Sequence, residues 1–106
     1  MKVSLKKAFS ILDGRLSTDI GDVYEMLNYI FDDKFMTYQL PTAMKKLDEV
    51  NPVWFNIAKN RLNDIKKKNN TDDFKELMQI IDKEYSTYKI ELGKVDAKID
   101  FFAGLV

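Results

Sequence analysis

A mainly α fold, one domain of about five helices with a candidate small β element at the C-terminal end, is what this sequence predicts. Three observations point there. Apolar residues recur at spacings of three and four through most of the chain, as one face of a helix requires. Turn and cap residues (Ser4, Gly14, Pro41, Asn51, Pro52, Thr71) punctuate those runs where helices would start or stop. From Tyr88 the period drops to two. With 106 residues, 45% of them hydrophobic, the chain suits a single core spanning residues 1–106.

The first helix starts at Ser4 as N-cap, carries Leu5, Ala8, Phe9 and Leu12 inward, and stops at Asp13-Gly14. Ser17, Thr18 and Asp19 offer caps for a second, whose inward positions are Ile20, Val23, Tyr24, Leu27, Ile30 and Phe31, with Tyr29 off that stripe. Asp32-Asp33-Lys34 ends it. Phe35–Tyr38 is a short extended candidate, and Pro41 fits the first turn of a third helix bearing Leu40, Ala43, Met44, Leu47 and Val50. Asn51 as cap and Pro52 at the first helical position start a fourth at a sharp corner, with Trp54, Ile57, Ala58, Leu62 and Ile65 inward. Thr71 caps a fifth with Phe74, Leu77, Met78, Ile81 and Tyr85 inward. Tyr88, Ile90 and Leu92 alternate as a strand, and Ala97–Phe102 could return beside it as a hairpin arm.

The chain contains no histidine and no cysteine. That removes the usual general base, the usual metal ligand, the usual activated nucleophile and any disulfide. No catalytic residue, metal or cofactor is expected. Asp19, Asp22 and Glu25 lie three apart and could grip a cation or serve a small hydrolase, but acidic residues at a helix start are ordinary complements of the helix dipole. Seventeen basic residues balance seventeen acidic ones, so no overall field draws the chain to nucleic acid or an anionic membrane. No run is long and apolar enough for a transmembrane helix, and the N-terminus lacks the apolar core of a secretion signal. The expected compartment is the cytoplasm.

Binding is what remains. Trp54 and Phe55 are adjacent on a helix and point about 100° apart, so one of them is expected at the surface. Tyr29, Trp54, Phe55 and Phe102 are therefore the apolar candidates for a protein contact, with Arg15 as a polar one. The alternative is a helix-turn-helix-like DNA module that reads with Asn56, Lys59, Asn60 and Asn63 on the outer face of the fourth helix. Only two of the seventeen basic residues, Arg15 and Arg61, are arginines, which weakens that alternative.

Gly14-Arg15-Leu16, the helix with Tyr24 and Leu27, and Thr37-Tyr38-Gln39-Leu40-Pro41 together resemble a family of short phage and prophage proteins of unassigned function. The likeness covers residues 1–45 and takes in Tyr88–Leu92. Tyr38 stands where that pattern would have histidine and Thr42 where it would have arginine, removing two groups able to do chemistry. The resemblance implies a viral setting inside a bacterial host and no activity. The expected role is non-enzymatic: binding a bacterial host protein, in the manner of an inhibitor of a host or defence factor, with self-association left open.

Overall fold

The computed structural model describes residues 1–96, in the order β1 (Lys2–Ser4), α1 (Leu5–Asp13), α2 (Ile20–Phe31), a 3₁₀ turn (Thr37–Gln39), α3 (Leu40–Val50), α4 (Val53–Lys68), α5 (Phe74–Glu84) and β2 (Lys89–Glu91). The mainly helical single globule with a small sheet agrees with the sequence-based expectation. Leu5, Ala8 and Phe9 of α1 are fully buried, because α1 packs against α2, α4, α5 and both strands at once. Phe9 meets Phe74 of α5 with ring centroids 5.8 Å apart, and Leu27, Leu47, Leu62 and Leu77 fill the remaining centre.

Local chemistry explains most helix limits. Ser4 accepts a hydrogen bond from the Lys7 N–H and caps α1. Gly14 ends that helix at φ 95°, a left-handed conformation a side chain resists. Asp32 at φ 50° and Asn51 at φ 46° close α2 and α3 in the same way, as the two residue types that best tolerate this region after glycine.

Several elements differ from expectation. Phe35–Tyr38 forms no strand, and only Met36 is shown with an extended backbone; Phe35 packs edge-on against Phe31 and donates its N–H to the Asn28 side chain. The next residues form the 3₁₀ turn, closed where the Gln39 side chain accepts from the Met36 N–H at 2.8 Å. Asn51 ends α3 rather than starting α4, and Pro52 takes the cap position, because the left-handed residue needed to turn the corner uses Asn51 first. Asp73, not Thr71, caps α5 by accepting from Glu76; Thr71 accepts from the Asp73 N–H and so holds the cap.

The inward stripe of α4 is Phe55, Ala58, Leu62 and Ile65, whereas Ile57 is 51% exposed and Trp54 half-buried. These four buried residues are spaced three, four and three apart, a continuous line against α1 that Trp54 and Ile57 cannot join. Ile20 and Val50, expected inward, are exposed, while Met26 of α2 is buried. β2 is the strand expected from Tyr88–Leu92. Its partner among the described residues is β1, antiparallel, with Val3 opposite Ile90. The proposed return arm at 97–102 lies outside the described residues.

Candidate functional site

The candidate residues do not converge on one centre. Arg15 belongs to a charged clasp. The left-handed turn at Gly14 brings its guanidinium back to Asp13, with Nε 2.6 Å from Oδ2. The same fork donates to the Asp72 carbonyl at 2.9 Å and the Asp72 carboxylate at 3.0 Å. Lys66 of α4 completes the group, 2.7 Å from Asp13 and 2.9 Å from Asp72. The guanidinium carbon also lies 5.7 Å and 5.8 Å from the ring centroids of Phe9 and Phe74.

Burial pushes the Asp13 carboxyl up. The hydrogen bonds and charges of Arg15 and Lys66 outweigh that and hold it at about 2. Burial likewise pulls the Lys66 ammonium down, but its two carboxylate partners leave it raised. All four groups are mutually committed, so the arrangement ties the end of α1 to α4 and the α4–α5 turn and leaves no free base. Lys66 and Asp72 carried no sequence signal for this, since they sit more than fifty residues from Asp13.

Tyr29 is half-buried; its hydroxyl accepts from the Met1 amine, and Lys94 Nζ lies 5.2 Å from its ring centroid. Phe102 lies outside the described residues. Phe55 is 0% exposed and edge-on to Trp54, so it is a core residue with no surface to offer a partner. Trp54 is half-buried, and its indole N–H, beside Gly93, is buried with no acceptor among the described residues.

Of the exposed apolar side chains at this corner, Val50 and Ile57 were expected inward and Val53 carried no expectation. Val53 is 76% exposed and shares a face of α4 with Ile57, while Val50, also exposed, is the last residue of α3. Asn56, Asn60 and Asn63 are exposed on the adjoining face, where the Asn60 amide donates to Asn56. Lys59 is not free to meet a phosphate: it pairs with Asp48 at 3.0 Å and lies over the Phe55 ring.

The acidic trio is dispersed. Asp22 accepts from Thr18 and pairs with Lys7 at 3.4 Å, which keeps its carboxyl below the usual range, while Asp19 and Glu25 face solvent. Among the described residues no group of three acidic side chains is placed to hold a metal ion, and no helix is long and apolar enough to cross a membrane.

A second apolar surface lies between α2, the start of α3 and the α1–α2 connection. Leu16, Ile20, Val23, Leu40, Pro41 and Met44 line an open groove of about 170 Å³. Its mouth is braced by Ser17, whose N–H donates to the Ser10 hydroxyl at 2.9 Å and whose own hydroxyl donates to the Lys6 carbonyl.

No curated protein and no solved structure matches the chain. A family described as a domain of unknown function, DUF7736, matches residues 3–59, which carry α1, α2, α3, the corner and the groove, and span just over half of the 106 residues. The chain belongs to that family.

Proposed function

We propose that this is a non-catalytic phage-type protein that works by binding another protein at the α3–α4 corner, blocking a bacterial host or defence factor by occlusion. One observation carries the reading: Val50, Val53 and Ile57 are all exposed in the segment that turns from α3 into α4, with exposed Asn56 and Asn60 on the same helix as the last two. Exposed apolar side chains with polar neighbours are the composition of a protein contact surface. The absence of histidine and cysteine and the mutual pairing of Asp13, Arg15, Lys66 and Asp72 support a role without chemistry.

The test is capture from bacterial host lysate with the tagged wild type and with the double variant V53D/I57D, each with and without nuclease. A near-stoichiometric protein that survives nuclease and is lost with the variant is the expected result. A protein retained equally by the variant overturns the corner as the contact. Retained DNA with no such protein replaces this reading with a nucleic-acid one, led by Asn56, Asn60 and Asn63.

A further inference from the structure

A cavity of about 180 Å³ lies outside the family-matched residues, between α4 and the turn that leads from α5 into β2. Arg61, Asp64 and Ile65 line it from α4, and Tyr85 and Tyr88 line it from the turn. Ile65 is buried, the two tyrosines are half-buried, and Arg61 and Asp64 are exposed, so the interior is apolar and aromatic and the rim is charged. Backbone hydrogen bonds fix the aromatic side. Tyr85 donates its N–H to the Ile81 carbonyl of α5, Tyr88 donates to the Tyr85 carbonyl at 3.0 Å, and the Tyr88 carbonyl accepts from the Leu5 N–H at 3.2 Å.

The polar groups around this cavity are uncommitted. Arg15, the other arginine, is held by Asp13 and Asp72. The Arg61 guanidinium instead lies 5.6 Å from the centroid of the Tyr88 ring and has no carboxylate partner among the described residues. The ring contact restrains the guanidinium and leaves its N–H donors unfilled. Asp64, three residues on and a neighbour on the same helix face, has no cationic partner among the described residues either. The hydroxyls of Tyr85 and Tyr88 make no hydrogen bond among the described residues. A cation and an anion side by side give the rim no net charge, so a ligand that bears both signs answers it better than a simple anion or a simple cation. A cavity of about 150 Å³ lined by apolar side chains holds benzene, so this one takes one aromatic ring and leaves the ligand's polar end at the rim.

We propose that this cavity binds an aromatic zwitterion of the size of a free aromatic amino acid. The ring lies against Ile65, Tyr85 and Tyr88, the carboxylate takes the Arg61 fork through paired N–H donors, and the ammonium pairs with Asp64. The spacing agrees: side chains three apart on a helix start about 5–6 Å from each other, and the two charged groups of such a ligand sit on one carbon. A nucleotide suits the rim less well, because Asp64 would face its phosphate. None of these residues belongs to the α3–α4 corner assigned to a host protein, so the two assignments can fail independently.

The experiment is a titration of the isotope-labelled full chain with L-phenylalanine, read by amide chemical shifts, with far-UV circular dichroism confirming that each variant is folded. Phenethylamine, phenylpropionate, L-alanine and AMP serve as comparison probes. Expected are saturable shifts centred on residues 61–65 and 85–88. Losing the carboxylate (phenethylamine), the ammonium (phenylpropionate) or the ring (L-alanine) weakens binding by about tenfold or more, the scale of one charge-assisted hydrogen bond or one buried ring. Arg61→Gln abolishes the preference for L-phenylalanine over phenethylamine, and Asp64→Asn abolishes the preference over phenylpropionate. Both replace exposed side chains and leave the fold intact. Absence of saturable shifts with millimolar L-phenylalanine overturns the proposal. So does tighter binding of AMP, which makes this a nucleotide site, or a preference among the probes that both variants leave unchanged.

Discussion

Lys66 Nζ lies 2.7 Å from Asp13 Oδ1, a contact across 53 residues that fastens the last turns of α4 to the end of α1. Arg15 holds the other oxygen of the same carboxylate. Asp13 is thus one of the points, beside the β1–β2 pairing and the Phe9–Phe74 contact, at which the family-matched region meets the rest of the chain.

The acid response follows from that carboxylate. The folded protein holds Asp13 at about 2, against an ordinary value of 3.8, so the unfolded chain binds this proton more readily. Stability from this group is full above about pH 5 and is lost as pH falls toward 2, amounting to roughly 2 kcal/mol. Urea unfolding at pH 7 and pH 3 is expected to show Asp13→Asn well below wild type at the first and below it by roughly half that gap at the second. A gap that does not change with pH contradicts the assignment.

Arginine at position 15 is expected not to be exchangeable for lysine. Its fork reaches Asp13 and two acceptors on Asp72 while lying close to two rings, which a single ammonium cannot reproduce. Arg15→Lys and Arg15→Ala both lose on the order of 1–2 kcal/mol by equilibrium unfolding. Full stability in Arg15→Lys shows that charge alone suffices.

Gly93 has no room for a side chain. A Cβ there would lie 2.7 Å from both Cδ1 and Nε1 of Trp54. Gly93→Ala is expected to displace the indole, lower stability by about 1–3 kcal/mol, and red-shift the emission of the chain's single tryptophan. Unchanged emission and stability mean that the indole is not packed there.

The two faces of α4 separate in a pair of substitutions. Phe55→Ala empties a fully buried site and costs about 3–5 kcal/mol. Ile57→Asn, on the exposed face, stays within about 0.5 kcal/mol of wild type. The reverse order in a denaturant titration places the inward stripe on Ile57.

The corner and the groove show where reading a sequence stops. Trp54 and Phe55 were visible as a pair pointing about 100° apart, but Phe55 was equally eligible for surface or core until α1 supplied a surface to pack on. Ile57 fitted a helical period as well as Phe55 does, because a stripe of spacing three and four tolerates more than one phase over a single helix. The groove draws on Leu16 and Ile20 from one stretch and Pro41 and Met44 from another, none unusual where it stands in the chain.

What could be read directly was local: the Ser4 cap, the Gly14 stop, Pro41 at a helix start and the alternation through Ile90. Those features rest on interactions within a few residues, so composition and spacing are enough to specify them. The pairing of β2 with β1, the rotation of α4, the Asp13–Lys66 contact and the two exposed apolar faces depend on contacts between distant segments. Only packing decides them, because a helix or strand chooses its buried side by the shape of the surface it meets.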